Sequence, residues 1–265
     1  MPTIIAVHGN GGGGERFARI GPLLPVGFAL RAPTLPGFGG VPLGDVDRLD
    51  GLTDALEAEV AASTRPRLLL GHGVGGAVAL DLLSRDPRQV DGLILHAPVG
   101  TRLDTRLFPR VMSSRRVQRT VQGVIAHPLA RPLLRRIALP EVPRDIADRT
   151  LAAYGRAEAF GRLFDWLDSA WFDALPPLVE LPAAVLWGER DRVLDAEQRG
   201  DYQRLLPGAR EVVVPGWGHF PMLDRPEAYA RMLTELSRAL LQGGRGDPGS
   251  ATAEPGDPAP GAPQL

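Results

Sequence analysis

The sequence contains neither cysteine nor lysine. Without cysteine, the chain has no disulfides, thiolate nucleophiles, thiolate metal ligands or redox motifs. Because all 30 basic residues are arginine, it also lacks a Schiff-base amine and a phosphate-loop lysine. No two of its five histidines stand at a spacing typical of metal ligands. We therefore expect no metal site and no cofactor.

A strong charge of one sign and long hydrophobic runs are missing as well. The formal net charge is −1, so no overall field attracts nucleic acid or a membrane surface. The apolar run near the N-terminus, Ile4–Val7, is too short for a signal peptide or a membrane span, and no basic segment precedes it. We expect a cytoplasmic protein whose partner is a small molecule, with no nucleic-acid or membrane partner.

Short apolar runs alternate with helical patterns along most of the chain. The predicted strands are Ile4–Val7, Phe28–Ala32, Leu68–Leu70, Gly92–Leu95, Ala183–Trp187 and Glu211–Val214. The predicted helices include Glu15–Leu24, Leu52–Ala62, Gly75–Ser84 and Pro226–Leu241. This alternation predicts an α/β protein with a mostly parallel, doubly wound sheet of about six strands.

Two segments depart from this alternation. Residues 100–176 are helical in pattern and rich in arginine, which predicts a helical lid inserted into a core made of residues 1–99 and 177–242. Between Thr101 and Thr150 there are eleven arginines against four acidic residues, which favours a solvated helix face over an anion-recruiting surface. Residues 243–265 are rich in Gly, Pro and Ala and are expected to form a disordered tail.

A predicted strand turns abruptly into a predicted helix at residues 68–76, which read Leu-Leu-Leu-Gly-His-Gly-Val-Gly-Gly. Glycines on both sides of the turn fit the nucleophile-elbow pattern, Gly-x-nucleophile-x-Gly, in which a tight and strained turn requires small residues. The segment resembles the elbow of the α/β-hydrolase fold family, which commonly reads Gly-His-Ser-x-Gly-Gly. Every position matches except that of the nucleophile, where this sequence has Gly73.

Two further motifs follow in the chain order of that family. Residues 187–191 read Trp-Gly-Glu-Arg-Asp after a predicted strand and are similar to the family's acid loop, which implies that Asp191 is the catalytic acid. Residues 215–221 read Pro-Gly-Trp-Gly-His-Phe-Pro after the last predicted strand and are similar to its histidine loop, which implies that His219 is the catalytic base. The resemblance covers residues 3–241.

The same resemblance implies an oxyanion hole and part of a pocket. Residues 8–11, His-Gly-Asn-Gly, follow the first strand where the family has an oxyanion loop, so the backbone N–H groups of Asn10 and Val74 are the expected donors. His96 ends a predicted strand at the edge of the sheet where ligands bind, and Trp217 precedes the catalytic histidine by two residues. Both are expected to line the pocket.

Glycine has no side chain that can attack a carbonyl carbon, so no acyl-enzyme can form at the vacant nucleophile position, Gly73. One reading is a hydrolase-type enzyme for a small apolar ester or carbonyl compound. In it, Asp191 orients His219, which activates a water molecule or moves a proton as in lyase chemistry. The alternative is a catalytically inactive pseudoenzyme that binds a small ligand on the same fold.

Two other readings remain open. The spacing Gly71-x-Gly73-x-x-Gly76 also matches a dinucleotide-binding fingerprint, but the acidic residue that would hold the ribose is missing, since the next predicted strand is followed by His96. A serine codon and a glycine codon can differ by one base, so a serine hydrolase altered at this single residue also fits the sequence.

Overall fold

The computed structural model describes residues 1–103 and 107–243. The predicted tail therefore lies outside the described residues from position 244 onward. Gly243, its first residue, is the last residue of a helix.

Six strands form a single sheet. They are β1 (Thr3–Val7), β2 (Ala29–Arg31), β3 (Arg67–His72), β4 (Gly92–His96), β5 (Ala183–Gly188) and β6 (Arg210–Val214). Their spatial order is β2-β1-β3-β4-β5-β6, and every neighbouring pair is parallel. The predicted α/β fold with about six strands is confirmed, and each predicted strand is found to within two residues at either end.

Ten α-helices connect and cover the strands of the described chain. Four belong to the crossovers and the C-terminal end: α1 (Leu49–Ala61), α2 (Val74–Arg85), α9 (Pro221–Asp224) and α10 (Pro226–Gly243). Six lie between β4 and β5: α3 (Leu107–Val111), α4 (Arg115–Ala126), α5 (Arg131–Ala138), α6 (Arg144–Ala153), α7 (Leu163–Trp166) and α8 (Ser169–Ala174).

The helix predicted over Glu15–Leu24 is wrong. Two short 3₁₀ helices, Gly14–Phe17 and Gly21–Leu23, occupy this segment instead. Gly21 has a low helix propensity, and Pro22 lacks an N–H and sits at the start of the second turn, so the first turn does not continue into an α-helix. The chain after β1 is therefore an irregular loop that can shape a cavity.

Both faces of the sheet are buried, as expected for parallel strands covered by helices. Along β1, Ile5 and Val7 belong to a core on one face, which includes α1 and α2. Ile4 and Ala6 belong to the core on the other face, which includes α10. Within the described ranges, none of the helices combines the length and apolar character needed to cross a bilayer.

Parallel pairing brings the carboxyl ends of all six strands to one edge of the sheet, the edge at which open α/β proteins bind ligands. The register places His72, the last residue of β3, beside His96, the last residue of β4. The chain segments that follow β1, β3, β5 and β6 meet at this edge. They carry the motifs singled out in the sequence.

Candidate active site

The turn between β3 and α2 is formed by Gly73, whose backbone has φ 55° and ψ −119°. Its N–H donates to the carbonyl oxygen of His96 at 3.1 Å, and its own carbonyl accepts from the N–H of Val99 at 2.9 Å. A backbone with positive φ is costly for residues that carry a Cβ, and it persists only where the surrounding structure imposes it. The segment after β4 therefore holds the turn in its strained shape.

Gly73 has room for a side chain. A Cβ built on it would lie 3.5 Å from the Cα of Gly9, an ordinary contact and the one non-neighbouring atom within 4 Å among the described residues. Three nearby glycines have no such room, because a Cβ on each would come within 2.6 Å of other atoms: Gly71, Gly75 and Gly76. These three allow α2 to start tightly against β1 and β3, which accounts for the glycine-rich spacing without a nucleotide.

His219 and Asp191 form a close pair next to this turn. The Nδ1 of His219 lies 2.7 Å from the Oδ2 of Asp191, whose side chain is fully buried. The other carboxylate oxygen accepts from the N–H groups of Val193 and Leu194, both at 2.8 Å. In the neutral tautomer whose Nδ1–H donates to the carboxylate, Nε2 carries the lone pair that a general base requires.

Asp191 stays ionised despite its burial. Burial by itself raises the pKa of its carboxyl group, but the charge interaction with His219 and the hydrogen bonds from His219, Leu194 and Val193 outweigh this. The net pKa is lowered from the usual value. The carboxylate is therefore available to stabilise a protonated His219.

A second histidine supports the backbone of the first. The Nε2 of His72 donates to the carbonyl oxygen of His219 at 3.0 Å, and the two ring centroids lie 4.6 Å apart. Burial and the nearby charges of His219, His96 and Arg16 hold the pKa of His72 well below its usual value. A neutral His72 thus fixes the loop that carries His219.

The predictions that His96 and Trp217 line the cavity are wrong. His96 is fully buried, and its Nδ1 lies 3.1 Å from the hydroxyl oxygen of Tyr229 on α10. The Trp217 ring also packs on Tyr229, with centroids 5.8 Å apart. Both side chains are directed to the α10 layer because Tyr229 offers them a buried aromatic contact. Position at a strand end does not by itself decide which way a side chain points.

A cavity of about 570 Å³ opens above the turn. Gly73, His219, Asn10 and Val74 all lie in its wall. Apolar and aromatic side chains from the segment between β4 and β5 supply much of the rest: Val99, Leu103, Ile125, Ala138, Tyr154, Phe160, Leu163, Phe164 and Leu167. Nothing in the described chain groups three or more His, Asp or Glu side chains in a way that could hold a metal ion.

The two residues predicted as oxyanion donors, Asn10 and Val74, both lie in this wall. Val74 is the first residue of α2, so its N–H has no acceptor within the helix. The side chain of Asn10 donates to the carbonyl oxygen of Phe160 at 3.2 Å, which connects the loop after β1 to the helical segment. The structure brings Asn10, Val74, Gly73 and His219 together around one cavity.

The sequence profile of the Alpha/beta hydrolase family matches residues 4–232, nearly all of the described chain. The chain belongs to this family.

Relatives within the family include an esterase. The pimeloyl-[acyl-carrier protein] methyl ester esterase of Aromatoleum aromaticum is 30% identical over 254 residues, covering 89% of this chain and 98% of the relative. Among solved structures, a mutant of an epoxide hydrolase from Bacillus megaterium matches 89% of this chain and 93% of its own, with a TM-score of 0.72 and 12% identity. The second likeness shows the shared fold alone.

A third likeness carries a serine-to-glycine change. It is a mutant of an N-acyl homoserine lactonase, crystallised with N-hexanoyl homoserine lactone. It covers 91% of this chain and 91% of its own, with a TM-score of 0.63 and 18% identity. It too shows the fold alone.

Because several histidines are buried, we expect the free energy of unfolding to depend on pH. Burial lowers the pKa of His8 to about 4 and that of His96 to about 3, from the usual 6.5 of a histidine. Below about pH 6.5 the unfolded chain binds protons that the folded chain does not, so the free energy of unfolding falls as the pH decreases towards 4. Each histidine contributes roughly 1 kcal/mol per pH unit in this window. Asp224, whose pKa is raised to about 6 mainly by burial, acts in the opposite direction between about pH 4 and 6.

Urea unfolding at pH 7, 6 and 5 measures this effect. We expect the midpoint to fall at each step and the fall to be smaller in His96→Asn, which has no group to protonate. A midpoint that is constant or rises towards pH 5 would contradict the assignment of these histidines as neutral.

Proposed function

We propose that this protein is a hydrolase-type enzyme for a small apolar ester or carbonyl compound, and that it works through His219 and Asp191 without a serine nucleophile. The observation that carries the proposal is the 2.7 Å contact between these two residues beside Gly73, in the wall of a largely apolar cavity. On this proposal Gly73 stands at the family's nucleophile position. The esterase relative favours a carboxylic ester as the substrate.

The reaction would begin with a water molecule in the space beside Gly73, where a Cβ would meet no close contact. The Nε2 of His219 takes a proton as the water oxygen attacks the carbonyl carbon, and Asp191 stabilises the imidazolium that forms. The backbone N–H groups of Asn10 and Val74 are the proposed donors to the oxyanion. Collapse of the tetrahedral intermediate then breaks the ester bond, and His219 returns the proton to the leaving alcohol.

We also propose that residues 100–176 act as a lid on a core of residues 1–99 and 177–242. Support comes from the cavity, since one wall belongs to the segment between β4 and β5 and the other to loops of the sheet edge. The hydrogen bond from Asn10 to Phe160 joins the two walls. A lid of this kind would exclude water from an apolar substrate and strengthen the charge interactions around His219.

A ligand-binding protein without turnover is the second candidate, and Gly73 itself favours it. An apolar cavity of this volume is of the size that holds small ligands. The serine-to-glycine mutant of the lactonase was crystallised with N-hexanoyl homoserine lactone. In this reading, His219 and Asp191 shape the cavity and do not transfer protons.

Hydrolysis of p-nitrophenyl esters with acyl chains of two to eight carbons tests the choice between the two candidates. We expect the wild-type protein to exceed the buffer rate and to release p-nitrophenol linearly from the start, because no acyl-enzyme accumulates. A rate equal to that of the buffer across the whole series would overturn the enzyme proposal and leave the ligand-binding one.

A further inference from the structure

Arg16 is a buried cation without a counter-ion among the described residues. It lies on the short 3₁₀ helix Gly14–Phe17 after β1, with 3% of its surface exposed. Its Nε and Nη2 atoms are buried and have no hydrogen-bond partner within the described chain. No described acidic residue forms an ion pair with it either. A buried guanidinium in this state is costly, so it calls for a partner that the described residues do not supply.

The surrounding residues are arranged to hold the guanidinium where it is. A Cβ on Gly12 would lie 2.1 Å from the Nε of Arg16, so only glycine leaves space for the side chain to fold back on the loop. The rings of Phe220 and Tyr154 lie 5.2 and 5.8 Å from its Cζ. Ring contacts of this kind engage the cation, but they leave the N–H groups of the guanidinium without acceptors.

Arg16 is part of the wall of the cavity that also contains His219. The Phe220 ring centroid is close to both groups, 4.6 Å from the His219 ring centroid and 5.2 Å from the Cζ of Arg16. The sum of these distances is the upper limit on their separation, which a chain of a few methylene groups can span. Among the described residues, no Asp or Glu lines the cavity.

We propose that Arg16 binds a carboxylate at the far end of the substrate from the reacting carbonyl group. The substrate class would then narrow from a small apolar ester to a half-ester, or a comparable carbonyl derivative, of a short dicarboxylic acid, which is apolar only between its two ends. A carboxylate matches the guanidinium because it can accept two parallel N–H bonds and compensates the buried charge. The role of His219 at the reacting end rests on the proposed function, whereas the anion site at Arg16 does not.

Binding of two ketones that cannot be hydrolysed tests this inference separately from catalysis. The probes are 6-oxoheptanoate, which carries a terminal carboxylate, and 2-heptanone, which has the same chain length without it. By isothermal titration calorimetry we expect the wild-type protein to bind 6-oxoheptanoate at least about tenfold more tightly. Arg16→Gln should remove this preference.

Arg192→Gln is the matched control, because Arg192 also lines the cavity but is exposed to solvent. It should keep the preference. Equal affinities of the wild-type protein for the two ketones would overturn the inference, even if Arg16→Gln failed to fold. A preference for 6-oxoheptanoate that persists in a folded Arg16→Gln protein would also overturn it. A preference for 6-oxoheptanoate without any ester hydrolysis would support the anion site and contradict the proposed catalysis. Ester hydrolysis without this preference would support the catalysis and contradict the anion site.

Discussion

The Gly73→Ser variant is expected to be acylated at position 73 by p-nitrophenyl butyrate and to release p-nitrophenol in a burst. The wild-type protein has no side chain at this position that could do so. The backbone already has the strained shape of a nucleophile turn, and a Cβ would meet Gly9 at an ordinary 3.5 Å. A serine hydroxyl would then stand beside the base His219, as a covalent mechanism requires.

The expected gain is large. In subtilisin, loss of the nucleophilic serine alone lowers kcat by on the order of 10⁶, so a gain of at least about 10²-fold over wild type is expected when the serine is supplied. The same change should cost about 1–3 kcal/mol of stability, because a residue with a Cβ must adopt φ near 55°.

Gly73→Ala is the matched control for that experiment, since it adds the same Cβ and the same strain without a hydroxyl. It should lose stability to a similar extent and gain no burst. Intact-protein mass spectrometry during turnover measures the butyryl adduct directly. A folded Gly73→Ser protein that gains neither the adduct nor the burst would show that Gly73 does not stand at the nucleophile position.

Replacing His219 by Ala is expected to lower the wild-type rate of ester hydrolysis by about 10²–10⁴-fold, the range typical of a lost general base. Asp191 holds the imidazole at 2.7 Å, and the carboxylate acts on the substrate through this ring because its own side chain is fully buried. The measurement is kcat/KM for p-nitrophenyl butyrate.

His127→Ala is the control for a lost imidazole far from the turn. His127 is exposed and caps a short 3₁₀ helix, accepting from the N–H of Leu129 at 3.2 Å. Its replacement should leave the rate unchanged. A His219→Ala protein that is folded and as active as wild type would remove the proposed base.

Much of the fold could be predicted because its signals are local. The short apolar runs, such as Ile4–Val7 and Gly92–Leu95, are found as strands to within two residues. The strand-to-helix turn at Gly73 could be located because close backbone packing on both sides requires glycine. The pairing of His219 with Asp191 could be predicted because each residue lies in a loop motif of the family.

The directions of the side chains and the lining of the cavity could not be predicted, because they depend on contacts between distant parts of the chain. His96 stands at the expected strand end, but its direction is decided by Tyr229, which comes 133 residues later. The apolar residues of the helical segment that line the cavity look the same in sequence as residues that fill a core. Arg16 was missed in the same way, although the run of glycines before it was a signal, since Gly12 leaves the space into which its side chain folds.

We propose that His219 drives ester hydrolysis without a covalent intermediate on the protein. Intact-protein mass spectrometry of the wild-type protein, recorded while it hydrolyses p-nitrophenyl butyrate, tests directly whether such an intermediate forms. We expect steady release of p-nitrophenol, dependent on His219, from a protein whose mass stays that of the unmodified chain. A butyryl adduct on the wild-type protein, or no release above the buffer rate, would contradict it.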